Sequence, residues 1–273
     1  VKFITSRDNA FFKQLIKLAG STKERKAAGL TLLDGIHLIS AYHCVLGQPE
    51  SLVVSQSGNA DPEIKRLLVE QGTGSHVKVI MLSDNLFREI SPVKTPTGIM
   101  ALVAIPSPPA MSPREDQAGE PFYVLLEAIQ DPGNLGSILR SAAAAAATDV
   151  YLSKGCADAW SPKTLRAAMG AHFLLHIHEQ SDLADVARSF NGRVIATSLR
   201  AETSLYRIAL RGPIAFVFGS EGMGLSDALL QASSEQISIP MPGGTESLNA
   251  AAAAAICFFE KVRQSTTSLH PIT

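Results

Sequence analysis

Three short stretches hold most of the residues able to do chemistry: QDPGNLGSILR at 130–140, GSEGMGLS at 219–226 and MPGGTESLN at 241–249. In the first, Arg140 follows Gly136 by four residues, a spacing that stacks both on one helical face and leaves room before the guanidinium. Its rigid fork of donors suits a phosphate, with the amide of Asn134 nearby, although a solvated arginine on a surface helix fits the same pattern. Asn134 is also a candidate N-cap for that helix. The second stretch sets Glu221 among glycines that either admit a flat ligand to the backbone or make a tight turn. In the third, Ser247 and Asn249 precede an alanine run, placed to cap a helix or to point polar groups into a cleft. Neither the first nor the second stretch is a familiar phosphate loop. One glycine is missing from G-x-G-x-x-G, Lys154 in DVYLSKG stands where a nicotinamide enzyme needs an acid, and no Lys-Ser/Thr pair follows Gly224.

These stretches need elements to hold them. Each follows an apolar segment of strand character, YVLLEAI, IAFVFG or EQISIP, and DVYLS, FLLHIHE and RVIATSL read as further strands, mostly with helical sequence between. Such alternation predicts an α/β fold with a mostly parallel sheet and helices on both faces, whose ligands bind beyond the carboxyl ends of the strands. The alanine runs at 142–147 and 250–255 predict helices that pack closely through small side chains. SPPAMSPREDQAGEP at 107–121, with four prolines and no apolar period, reads as a linker. The division is therefore 1–106, linker 107–121 and 122–273. Before the linker, FFKQLIKLA has helical spacing, and LTLLDG, SLVVSQ and VKVIML read as strands with helices at IHLISAYHCVL and PEIKRLLVEQ between them. The first region is a smaller α/β domain behind a basic helical arm.

Composition narrows the function classes. The 273 residues are 46% hydrophobic, enough for a packed core, and the longest apolar stretch, LNAAAAAAICFF, falls short of a bilayer span. The first fourteen residues scatter charge with no continuous apolar run, unlike a secretory signal, so the expectation is a cytoplasmic protein with no membrane partner. Net charge is −1, but residues 1–29 carry seven cations against two acids, a local balance of +5 that could meet phosphates or remain a solvated helix face. Cys44, Cys156 and Cys257 are far apart with no C-x-x-C pair, which predicts buried free thiols and no zinc site. His172, His176 and His178 in HFLLHIHE would share one face of a strand, but without H-E-x-x-H order or a clear carboxylate partner they read as core or interface histidines. Trp160 reads as a packing anchor in preference to a base-stacking platform.

DPGNLGSILR, FVFGSEGMGLS and IPMPGGTESLNAAAAAA, in that order, resemble the three motifs of the SpoU/TrmH family of RNA ribose 2′-O-methyltransferases, with the resemblance covering residues 123 to about 262. Residues 1–106 are similar, more loosely, to the ribosomal-protein-like substrate-binding domain fused to many members. One departure stands out: many members have a glycine after the first helix, where this chain reads AAAAAATDV.

The resemblance implies a SPOUT fold with a deep trefoil knot, a homodimer with active sites at the subunit interface, and S-adenosyl-L-methionine as cofactor with no metal. Adenosine contacts are implied at Thr197, Gly219, Ile239, Met241 and Leu248. Arg140 is implied as the principal catalytic residue, with Asn134, Glu221, Ser247 and Asn249 orienting it, the target nucleotide and the cofactor. The implied reaction is in-line attack of a ribose 2′-oxygen on the sulfonium methyl. A guanidinium with a pKa above about 12 is a poor base, whereas positioning a phosphate and stabilising the developing alkoxide need no pKa shift. KTLRAAMGA at 163–171 adds Lys163 and Arg166 near the implied site. The expected substrate is an unpaired nucleotide of structured RNA, ribosomal RNA first and transfer RNA second. A non-catalytic RNA-binding or ribosome-assembly module of the same fold is the alternative from another class.

Overall fold

The computed structural model describes residues 2–72, 77–107, 120–220 and 222–267. Along the first stretch run β1 (Lys2–Ile4), α1 (Ala10–Gly20), α2 (Thr22–Ala28), β2 (Leu30–Asp34), α3 (Ile36–Leu46), β3 (Ser51–Ser55), α4 (Pro62–Gly72), β4 (Lys78–Leu82), α5 (Asp84–Ile90) and β5 (Ile99–Ala104). The second stretch contributes β6 (Phe122–Leu126), α6 (Pro132–Ala144), β7 (Asp149–Leu152), α7 (Pro162–Ala168), β8 (His176–His178), α8 (Leu183–Ser189), β9 (Arg193–Thr197), β10 (Ile214–Phe218), α9 (Asp227–Ala232), β11 (Glu235–Ile237) and α10 (Ala250–Thr267). Most of the predicted linker, residues 108–119, lies outside the described residues.

The chain divides into two compact units, and the division is not contiguous: residues 160–173 join 1–107 in the first, while 108–159 and 174–273 form the second. In the first unit the sheet order is β1-β4-β3-β5-β2, with β5 antiparallel to β2 and β3, and β1, β3 and β4 mutually parallel. Phe12, Leu15 and Leu18, at helical spacing on α1, join Leu86, Phe87 and Ile90 of α5 and Leu32, Val53, Ile80 and Leu102 of the strands in one core cluster. Asn9 caps α1 by accepting from Phe11 N at 3.0 Å. The segment expected to form a basic arm is therefore structured within the unit. Arg7 pairs with Glu89 at 2.6 Å and Lys13 with Asp8 at 2.9 Å, and buried Arg25 donates to the Leu18 carbonyl at 2.5 Å, satisfying the end of α1.

The segment 160–173 packs on β2. Thr31 Oγ1 donates to the Trp160 carbonyl at 2.7 Å, and Arg166 Nη1 donates to Asp34 Oδ2 at 2.8 Å. Burial of Asp34 raises its pKa, and the neighbouring Arg166 charge opposes that shift. Trp160 is 6% exposed with its ring tilted on His172, so it is a packing residue. Lys163 and Arg166 lie on α7 in this unit, where Asp34 holds the Arg166 guanidinium. FLLHIHE yields only the three-residue β8, because Met169 (φ 50°) and Gly170 (φ 91°) turn the chain through the left-handed region and a 3-10 turn follows at Ala171–Phe173.

In the second unit the order is β11-β9-β10-β6-β7-β8 and every pairing is parallel. Alternation along the strands sorts the side chains by face. Leu125, Val194, Ala196, Ala215 and Val217 meet Leu183 and Ala187 of α8 and Leu229 of α9. From the other face, Phe122, Phe216 and Phe218 make aromatic contacts with Phe258 of α10 at centroid distances of 5.6, 6.1 and 5.5 Å. The two alanine-rich helices, α6 and α10, pack against each other.

The departure after the first motif has a defined geometry. Helix α6 ends with Ala147 N donating to Ala142 O at 2.9 Å and Ala146 N to Ala143 O at 3.1 Å, the paired bonds of a Schellman ending. Its left-handed position is Ala146 at φ 60°, where glycine is the usual residue. Of the three thiols only Cys257 is buried; Cys156 is partly buried and Cys44 exposed, which corrects the expectation for those two.

Candidate functional site

Asp131, not Asn134, caps α6: its Oδ1 accepts from Asn134 N at 2.7 Å, with Pro132 pre-set for the first helical turn. That correction leaves the Asn134 side chain available, and its Oδ1 accepts from Asn249 Nδ2 at 2.9 Å. Asn249 in turn caps α10, accepting from Ala251 N at 2.9 Å and Ala252 N at 3.3 Å. The helix amides demand the oxygen of the Asn249 amide, so its nitrogen is the end turned to Asn134. One side chain thus does both things the sequence left open, capping a helix and pointing a polar group at another motif. Gly136 is buried with Leu135, Ile138 and Leu139, whereas Arg140 is exposed and its side chain forms no hydrogen bond or ion pair with the described residues.

The second loop folds back on itself. Gly224, at φ 68°, donates its N–H to the Ser220 carbonyl at 3.0 Å, and a β-carbon on Gly219 would lie 2.2 Å from the Gly224 carbonyl oxygen. Only glycine permits that crossing. Ser226 caps α9, and its own N–H donates to Glu127 Oε2 at 2.7 Å. The backbone N–H of Glu127 also donates to Phe218 O at 2.9 Å, so this residue ties the ends of β6 and β10 to the loop. Sequence alone reads Glu127 as part of the strand segment YVLLEAI; the lone acid at the end of an apolar run is the signal that marks it. Glu221 lies outside the described residues.

Beyond the carboxyl ends of β9, β10 and β11 is a cavity of about 540 Å³, within the size range of small-molecule sites. Thr197, Gly219, Ile239, Met241 and Leu248 all line it, as does Ser247. The Thr197 hydroxyl donates to Val217 O at 3.0 Å and is committed to the sheet. Arg200 and Asp227 are the charged side chains among the described residues of the lining.

His176 and His178 have the carboxylate partner that the local sequence lacked. Asp149, on the adjacent strand, places Oδ1 2.9 Å from His178 Nε2 and 3.4 Å from His176 Nδ1. Burial pushes the Asp149 pKa up, but the His178 hydrogen bond and the histidine charges hold it below the ordinary carboxylate value. Among the described residues no cluster of His, Cys, Asp or Glu could hold a metal ion, and no helix is long and apolar enough to cross a membrane.

An all-parallel sheet with a cavity at its carboxyl edge, rimmed by glycine loops and two capped helices, defines an α/β protein that holds a small ligand at its strand ends. The chain belongs to the SpoU rRNA Methylase family, whose model matches residues 121–259, and residues 9–101 match the MRM3-like substrate binding domain. It is 32% identical to an uncharacterized tRNA/rRNA methyltransferase of Synechocystis, over 98% of this chain and 96% of that one. It is 30% identical to the 23S rRNA (guanosine(2553)-2′-O)-methyltransferase RlmP of Bacillus subtilis, over 95% and 98% of the two chains. An AdoMet-bound rRNA methyltransferase from Sinorhizobium meliloti superposes with a TM-score of 0.80 at 26% identity, covering 96% of this chain and 97% of that one.

Proposed function

We propose that this protein transfers a methyl group from S-adenosylmethionine to a ribose 2′-hydroxyl of ribosomal RNA. The observation that carries the reading is the convergence of the three motif loops: Asn134 bonded to Asn249, with the cavity lined by Gly219, Met241, Ser247 and Leu248 beside them in the same unit. The RNA class follows the relatives, among them a 23S rRNA 2′-O-methyltransferase.

The cavity suits the cofactor in size and lining. Ile239, Met241 and Leu248 offer apolar and backbone surface to the adenosine, and Gly219 keeps the loop backbone close to it. When bound, S-adenosylmethionine supplies an activated methyl group on a sulfonium. Arg140, exposed and uncommitted, grips an RNA phosphate with its fork, holds the ribose in place and stabilises negative charge as it develops on the 2′-oxygen. It need not lose a proton to do so. Asn134 and Asn249, locked to each other, fix the first turn of α6, the helix that carries Arg140 two turns later; Ser247 adds a hydroxyl at the cavity wall. Leu199 and Met223, exposed on the cavity rim, offer apolar surface to an unpaired base.

The first unit is the RNA-binding region in this reading, with exposed Lys23 among its phosphate contacts. The working form is a homodimer with a trefoil-knotted second unit, in a cytoplasmic setting; Phe259, 48% exposed on alanine-rich α10, is consistent with a partner surface there.

The test is incubation of the protein with tritiated S-adenosylmethionine and unmodified ribosomal RNA, followed by mapping of 2′-O-methylated positions. Label is expected at a discrete ribose, and Arg140→Ala is expected to bind cofactor normally while turnover falls by about 100-fold or more. No label in any RNA, together with no cofactor binding in calorimetry, would overturn the reading. Full turnover by Arg140→Ala would remove Arg140 from its assigned role.

A further inference from the structure

Among the described residues, the two charged side chains of the cavity wall come from different parts of the chain. Arg200 lies three residues past the end of β9, and Asp227 opens α9 after the folded-back second loop. Both are exposed, and the side chain of neither forms a hydrogen bond or ion pair with the described residues, nor do the two pair with each other. Elsewhere in the same unit, arginines near carboxylates close onto them: Arg193 onto Glu235 at 2.5 Å and Arg263 onto Glu260 at 2.7 Å. A cation and an anion that face one cavity from separate elements without closing on each other form a dipolar receptor. Its complement is a ligand with both charges at one end.

We propose that Arg200 and Asp227 grip the amino-acid end of the cofactor, the guanidinium receiving its carboxylate and the Asp227 carboxylate its ammonium. This rests on the reading that the cavity holds S-adenosylmethionine. The ligand then divides as the lining does. Its adenosine is uncharged and meets Ile239, Met241 and Leu248, while its zwitterionic tail meets the two opposite charges among the described lining residues. Arg200 could instead serve an RNA phosphate, but Asp227 argues against that occupant: a carboxylate on the same wall repels a phosphate and attracts an ammonium. Arg140, in the first motif, has no carboxylate bonded to its side chain among the described residues and is the better phosphate site. The pair also gives Leu199 and Met223 a location at the tail end of the cavity, since they neighbour Arg200 and the turn before Asp227.

The proposal separates two ligands that differ only at this end. S-adenosylhomocysteine keeps the carboxylate and ammonium; 5′-methylthioadenosine lacks both. In calorimetric titrations of the full-length protein, Arg200→Ala and Asp227→Asn are each expected to weaken S-adenosylhomocysteine about three- to tenfold, the range for charge-assisted bonds at an exposed site, and to leave methylthioadenosine unchanged. Arg200→Lys, which keeps the charge but loses the fork, should recover part of the loss. Equal losses for both ligands would point to a damaged cavity wall and overturn the proposal, as would unchanged affinity for S-adenosylhomocysteine. Weakened RNA binding by Arg200→Ala with cofactor affinity intact would assign Arg200 to the phosphate and overturn it too. Wild-type protein that binds neither ligand would remove the cofactor reading from which the proposal starts.

Discussion

The two sheets use their edges differently. In the second unit all six strands run the same way, so every carboxyl end lies along one edge, and loops leaving β9, β10 and β11 surround the cavity there. In the first unit β5 runs against β2 and β3, and the amino end of β5 arrives among the carboxyl ends of its neighbours. That edge is a seam. A β-carbon on Gly58 would lie 2.5 Å from the Gly98 carbonyl oxygen, Gly58 N donates to Ser55 Oγ at 2.8 Å, and Asp84 holds Ser57 through its N–H and its hydroxyl at 2.9 Å each. Both edges depend on a glycine crossing. In the first unit it joins two loops face to face; in the second, Gly219 crosses Gly224 inside a single loop beside the cavity. Strand direction therefore decides whether a sheet edge opens as a binding site or is sewn shut.

The sharpest break in that contrast is a β-carbon at each crossing. Gly219→Ala must displace backbone 2.2 Å away, so the loop should abandon its turn and cofactor affinity, read by calorimetry with S-adenosylhomocysteine, should fall by at least about tenfold. Gly58→Ala should lower stability in denaturant unfolding by about 1–3 kcal/mol while cofactor affinity stays near wild type. If Gly58→Ala cost as much affinity as Gly219→Ala, the two edges would not be functionally distinct.

A smaller effect is expected at the joint between motifs. Asn249→Ala removes the cap of α10 and the bond to Asn134, and should cost about 1–2 kcal/mol. Asn249→Ser keeps a good cap but not the amide donor. It should recover most of the stability while methyl transfer stays depressed; recovery of both would reduce Asn249 to a cap. The smallest effect belongs to the opposite end of the sheet, before β7. Ala146→Gly relieves a left-handed alanine at φ 60° and should stabilise the protein by about 0.5–1 kcal/mol, with cofactor affinity unchanged. A loss of stability in that variant would mean that the α6 ending tolerates alanine without strain.

Local pattern made much of this legible. The strands β2, β3, β4, β6, β7, β9, β10 and β11 stand where apolar runs predicted them, because a strand buried on a sheet face must be apolar whatever its neighbours are. β1 and β5 were not anticipated: KFI is too short to show a period, and IMALVA is buried along nearly its whole length without alternation. The cap of α6 is Asp131 and not the expected Asn134 because both residue types suit the position, and only backbone geometry chooses between them. The sequence around the histidines of β8 shows no clear carboxylate partner because Asp149 comes from the neighbouring strand.

By itself, the sequence determined the alternation of strands and helices, the three loops at strand ends, and the residue types that those loops present. These are properties of short windows, set by backbone propensity and by the periods of helix and strand. The tertiary structure alone decided which loops meet. Asn134 finds Asn249 across 115 residues, Glu127 finds Ser226 across 99, and Arg166 finds Asp34 across 132, carrying a helix of the methylase segment into the first unit. Strand order sets such encounters, and strand order is a balance of burial over the whole chain that no short window contains.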